Sequence, residues 1–122
     1  FTGANDIKYV LALIDPETPN VGLNDFKIGL YKMESMMSFP VVENFMIKHD
    51  PRMPSMGNHS SPNNTDLTFN AFSKMYEGEL SLTMTGYWKL NLMLYNNTSQ
   101  LIKGEEVTES NEGSSLFLEI EF

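Results

Sequence analysis

The chain contains no cysteine. That absence removes a disulfide framework, a thiolate nucleophile, cysteine-based zinc and iron–sulfur sites, and a blue-copper centre, whose trigonal site requires a thiolate. Any soft-metal site must therefore rest on methionine. Cationic side chains are also scarce: eight Lys and Arg stand against sixteen Asp and Glu, a formal net charge of −8. Such a field repels phosphate backbones and anionic lipid surfaces, which argues against a nucleic-acid ligand. No apolar run approaches the roughly 18 residues that a membrane span needs. Imidazoles are limited to His49 and His59. With no Gly-x-Ser-x-Gly elbow, no phosphate-cradling glycine loop and no His-Glu-x-x-His helix, the sequence points away from an enzyme. No initiator Met or signal-peptide pattern is seen, so Phe1 reads as the start of a processed chain or of a piece cut from a longer one.

At 122 residues and 41% hydrophobic, the chain can bury one ordinary core and not two, so a single domain over residues 1–122 is expected. No stretch keeps an apolar period near 3.6. Instead, short apolar runs recur between turn-forming clusters. Residues 9–14 are almost continuously apolar and stop at Asp15-Pro16-Glu17-Thr18-Pro19-Asn20. Phe26, Ile28 and Leu30 alternate with Lys27, Gly29 and Tyr31, the period of a half-buried strand. Further candidates cover residues 41–48, 67–72, 75–85, 88–95 and 116–122. About seven strands at this spacing fit an all-β fold, an immunoglobulin-like antiparallel β-sandwich, better than a closed barrel. Trp88, Leu90, Leu92 and Leu94 should face the core, with Lys89, Asn91, Met93 and Tyr95 pointing away. Thr85-Gly86-Tyr87 reads as a tight hairpin turn. Residues 96–99 and 103–113 read as looser connections. The second of these carries Glu105, Glu106, Glu109 and Glu112 and is expected to be mobile, solvated surface rather than a hard-cation site.

Methionine is unusually frequent, nine residues in all, and much of it is expected to fill gaps in the core. Met33, Met36 and Met37 precede Phe39-Pro40 and read as loop packing. Met53, Met56 and His59 are different, because they lie in Pro51-Arg52-Met53-Pro54-Ser55-Met56-Gly57-Asn58-His59-Ser60-Ser61-Pro62, which should form an irregular loop. Spaced three apart, two thioethers and an imidazole can turn inward together and suit Cu(I), which hard ligands do not. A further ligand would come from His49, before the loop, or from Met84, which otherwise shares a strand face with Leu80 and Leu82 and reads as core. The bland alternative is that Met53 and Met56 plug one end of the fold, with His59 on the rim. Both readings stand.

Four segments in order, Gly22-Leu23-Asn24-Asp25-Phe26, Met53-Pro54-Ser55-Met56-Gly57, Tyr76-Glu77-Gly78 and Leu82-Thr83-Met84-Thr85-Gly86-Tyr87-Trp88, resemble the YtkA-like (FixH-like) domain family. That family places a histidine directly after the loop glycine, whereas this chain has Asn58 there and His59 next. The resemblance implies an immunoglobulin-like sandwich in a bacterial envelope protein, exported to the periplasm or cell surface and often lipid-anchored. It further implies a copper-handling Met/His loop. The rival expectation is a structural or adhesion-type interaction module of a surface lipoprotein that holds no metal and contacts other envelope proteins.

Overall fold

Period-two alternation forms strands over most of the expected runs, and the computed structural model describes residues 1–122. The strands are β1 (Tyr9–Asp15), β2 (Gly22–Lys32), β3 (Met46–Met53), β4 (His59–Ser60), β5 (Thr65–Asn70), β6 (Met75–Leu82), β7 (Tyr87–Tyr95), β8 (Leu101–Lys103) and β9 (Phe117–Glu121). One 3₁₀ turn, Pro54–Met56, is the only helical element. No helix is long and apolar enough to cross a membrane. Every ladder is antiparallel. The hydrogen-bonded order is β1-β2-β6-β5-β3-β7-β8, with β4 also on β3 and β9 also on β7.

The all-β class is as expected from the sequence. The strands form one continuous, curled sheet, because Met46 and Ile47 of β3 pair with Thr68 and Leu67 of β5 and so join its two halves. The curl brings interior faces together: Phe26 of β2 meets His49 of β3 edge-on, ring centroids 4.9 Å apart, although β6 and β5 separate those strands in the ladder. Phe26, Ile28, Leu30, Leu80, Leu82, Trp88, Leu90, Leu92 and Leu94 are all fully buried inside it. The expected core face of β7 is thus seen. Its opposite face is not left to solvent throughout, since Asn91 is also fully buried.

β3 runs three residues into the stretch expected to be irregular, through Pro51 to Met53. The ladder explains how. Leu92 donates its N–H to Leu116, so Leu92 turns its backbone groups away from β3, and by alternation Pro51 turns its nitrogen away from β7. On that outer flank β3 pairs with β5 only at its start and with β4 only at Arg52 and Met53. The missing donor therefore falls in a gap where no strand needs it.

The connection after β2 is tied down by Tyr76, whose hydroxyl donates to the Val42 carbonyl at 2.7 Å and accepts from the Phe45 amide at 3.1 Å. Burial pushes this phenol up to about 12.

β8 and β9 both pair with β7, at Leu94–Tyr95 and at Tyr87–Asn91, and are two pieces of one edge strand. Between them residues 104–116 leave the sheet and return. Leu92 lies opposite that break and would lose its carbonyl partner. Ser114 supplies one: its Oγ donates to the Leu92 carbonyl at 2.8 Å and accepts from the amides of Glu105, at 2.9 Å, and Leu116, at 3.2 Å. The Ser114 amide in turn donates to Asn91 Oδ1 at 2.9 Å, while Asn91 Nδ2 donates to the Asp50 carbonyl at 3.1 Å. The acidic connection is therefore fastened at its root instead of trailing free. Further along, Glu105 accepts from the Ser115 hydroxyl at 2.7 Å and the Ser115 amide at 2.9 Å. Those two hydrogen bonds, the hydroxyl's first, hold its carboxyl below the usual carboxylate range.

Candidate functional site

The Met/His stretch folds as a short hairpin between β3 and β4. Pro54 opens the 3₁₀ turn, as its fixed φ favours. Gly57 and Asn58 then take left-handed conformations, φ 66° and 58°, and reverse the chain. Glycine and asparagine are the residues that tolerate this region most readily. The reversal puts His59 directly opposite Met53 in the β3–β4 ladder, with Arg52 opposite Ser60. Opposed residues project their side chains to the same face, with Cβ atoms about 4.5–5.5 Å apart. The extra Asn58 thus completes the turn, and the imidazole arrives in register with the first thioether.

Met53 points inward and is only 2% exposed. Its terminal methyl lies against the turn between β6 and β7: a Cβ at Gly86 would stand 2.9 Å from it. Gly86 also needs to be glycine for its φ of 134°. His59 is exposed, with its Nε2 3.4 Å from the Thr83 hydroxyl and its ring centroid 6.4 Å from that of buried Trp88. Trp88 Nε1 donates to the Met84 carbonyl at 3.0 Å. Met84 is not the core residue its spacing suggested: β6 stops at Leu82, and Met84 is 37% exposed in the turn beyond. Met53, His59, Trp88 and the backbone of Met84 accordingly share one end of the fold.

Two other candidates lie outside this group. Met56 closes the 3₁₀ turn with its side chain 55% exposed, so it diverges from Met53. His49 lies four positions before Met53 on β3, about 13 Å along an extended strand. Its Nε2 donates to the Thr65 carbonyl at 2.7 Å, while Nδ1 is buried without a partner beside Phe26. Burial lowers its pKa below the usual imidazole value, outweighing the backbone groups of Thr65 and Glu79 and the charges of Asp66 and Asp50 that pull the other way. This is a half-buried imidazole whose charged form is disfavoured, separate from the hairpin.

The hairpin is braced from outside. Arg52 makes a two-point pair with Asp50, Nε to Oδ1 at 2.8 Å and Nη2 to Oδ2 at 3.0 Å, and its Nη1 donates to the Asn58 carbonyl at 3.3 Å. Asn58 Nδ2 donates to the Glu112 carbonyl at 3.1 Å, joining the hairpin to the acidic excursion. Between them lies a cleft of about 340 Å³ bounded by Asn58, Lys89 and Glu112. Sequence reasoning missed this brace, since nothing in the spacing of Asn58 and Glu112 signals a contact.

In the second methionine cluster Met33 is half-buried, whereas Met36 and Met37 are not packed. Met36 and Met37 occupy the corner of a tight turn closed by Ser35 and Ser38, 84% and 94% exposed. No group of three or more His, Asp or Glu side chains converges anywhere in the chain. No family model, curated protein or solved structure matches the chain.

Proposed function

We propose that this domain is a non-enzymatic module of the bacterial envelope that binds Cu(I) at the β3–β4 hairpin and passes it on. The single observation that carries the reading is the ladder pair Met53–His59, which roots a thioether and an imidazole side chain opposite one another on the same face, next to Trp88 and the Met84 turn. A neutral sulfur and an imidazole suit a soft monovalent ion and do little for a hard one. Met53 and His59 would hold the ion, with Met84 from the facing turn. Exposed Met56 would take it up from solvent or release it to a partner. His49 has no part, because one nitrogen is engaged with Thr65 and the other is enclosed. The envelope setting follows from the family resemblance.

Competition with a Cu(I) chelator under reducing conditions tests this reading. Met53→Leu and His59→Gln should each lower affinity at least tenfold, Met56→Leu should act less, and His49→Gln should leave it unchanged. The leucine swaps nearly conserve volume and should cost less than about 1.5 kcal/mol of stability. Affinity should also fall on acidification, since a ligating imidazole must be neutral. If no variant differs from wild type, or none competes, the hairpin is a structural plug and the interaction-module reading replaces this one.

A further inference from the structure

The sheet is bridged at one end, where Phe1 exchanges bonds with Tyr9 and the Ala4 amide donates to the Ile102 carbonyl of β8, and stays open over the rest of its length. β1 pairs only with β2, and β9 pairs only with β7, so two strand edges remain open. They border the same groove, of about 420 Å³, whose lining is almost wholly apolar and includes Val10, Leu11, Phe117 and Leu118. Val10 and Phe117 are 39% and 41% exposed, while Leu11, Leu13 and Leu118 lie against the core and are only partly covered.

Hydrogen-bond alternation shows which backbone groups face the groove. Phe122 exchanges bonds with Gly86, and Leu116 accepts from Leu92, so even-numbered residues of β9 serve β7. Phe117, Glu119 and Glu121 turn their N–H and C=O groups outward. On the other border, Lys8 accepts from Met33 and Tyr9 is engaged by Phe1, which leaves the outward groups of Leu11 and Leu13 free. Natural edges are commonly blunted by lysine, proline or inward-pointing charge. Residues 9–14 contain no charge and no proline, and no Lys or Arg stands on β9.

We propose that this seam accepts one extended strand of a partner protein, with apolar residues at alternate positions and Lys or Arg between them. The incoming strand adds to β9 through Phe117, Glu119 and Glu121, as in recognition by strand addition. Its apolar side chains cover Leu118 and Leu11. Its intervening side chains fall on the outer face beside Glu119, which accepts from the Tyr87 hydroxyl at 2.6 Å and stands opposite Lys89, and Glu121; neither glutamate is in an ion pair. Opposite charges at such cross-strand positions attract, and like charges repel. That pattern disfavours a second copy joined through β9, which would oppose glutamate to glutamate across an interface between two chains of charge −8. β7 separates the seam from the Met/His hairpin on β3, and the proposal does not depend on copper.

The test titrates ¹⁵N-labelled full chain with a capped heptapeptide of alternating lysine and valine. Comparison peptides replace lysine by glutamate, place proline at the centre, or cluster the lysines at one end with composition unchanged. The alternating lysine peptide should shift and protect from exchange the amides of Phe117, Glu119 and Glu121. The glutamate, proline and clustered forms should bind at least tenfold more weakly. Glu119→Lys combined with Glu121→Lys changes exposed side chains, losing only the surface bond from Tyr87, and should invert the preference between lysine and glutamate peptides. Shifts confined to the acidic excursion, equal binding of alternating and clustered peptides, or absence of binding would each overturn the proposal. Self-association through this edge, detected by sedimentation, would also overturn it and make a second copy the occupant.

Discussion

Ser114→Ala removes a single hydroxyl, yet the geometry around it predicts a large loss of stability. Ser114 is 3% exposed, and its Oγ serves three backbone groups where the edge strand is interrupted. Without it the Leu92 carbonyl loses its donor and the Leu116 amide loses an acceptor, both in buried surroundings. The Glu105 amide also loses its acceptor, but Glu105 is exposed and water can take over that bond. An unsatisfied buried group costs about 1–3 kcal/mol, so two give a loss on the order of 2–6 kcal/mol. Against a typical total of about 5–15 kcal/mol this is severe. For a chain of this size the melting temperature should fall by roughly 10 °C. Ser115→Ala is the comparison, because its hydroxyl bonds only the exposed Glu105 carboxylate and its loss should cost no more than about 0.5 kcal/mol. Urea unfolding at constant m-value measures both, and amide exchange at Leu116 and Glu105 reports whether the root of the excursion has opened. If the two alanine variants unfold within about 0.5 kcal/mol of each other, the hydroxyl does not pin the excursion and the reasoning fails.

Gly104→Ala should be more damaging still, since φ is 103° and the new Cβ would collide with the Leu92 carbonyl oxygen; failure to recover folded protein is the expected result, and wild-type stability would refute it. Trp88→Ala should cost roughly 3–5 kcal/mol by chemical unfolding, as a fully buried indole is lost from the core together with its bond to Met84. His49 should make stability depend on pH: its folded pKa lies below the unfolded value of about 6.5, so below that pH the unfolded chain binds the extra proton. Its share of stability is therefore whole above about pH 6.5 and declines at up to about 1.4 kcal/mol per pH unit until the folded pKa is reached. His49→Gln should flatten that segment of the stability profile, and an unchanged slope would show that the charged form of the imidazole is not disfavoured.

The residues of β7 explain why the class of the fold was legible beforehand. Strands expose alternate side chains to opposite faces, so Trp88, Leu90, Leu92 and Leu94 announce both a strand and its buried side without reference to anything distant. The same locality explains the failures. Pro51 looked like a breaker because its missing donor is a local fact, whereas the gap on the flank of β3 that makes it harmless depends on where β4 and β5 end. Met84 looked like core because it keeps the period of Leu80 and Leu82, but β6 ends before it. For the candidate site, residue types and spacing marked Met53, Met56 and His59 together. Only the left-handed pair Gly57 and Asn58 decides that His59, not Met56, stands beside Met53. His49 and the acidic excursion depend on partners far along the chain: Phe26 and Thr65 for the one, Leu92 and Asn58 for the other. Periodicity is a property of neighbours in sequence and survives without a fold. Register, burial of a single polar atom and the meeting of two loops exist only once distant strands have been brought together.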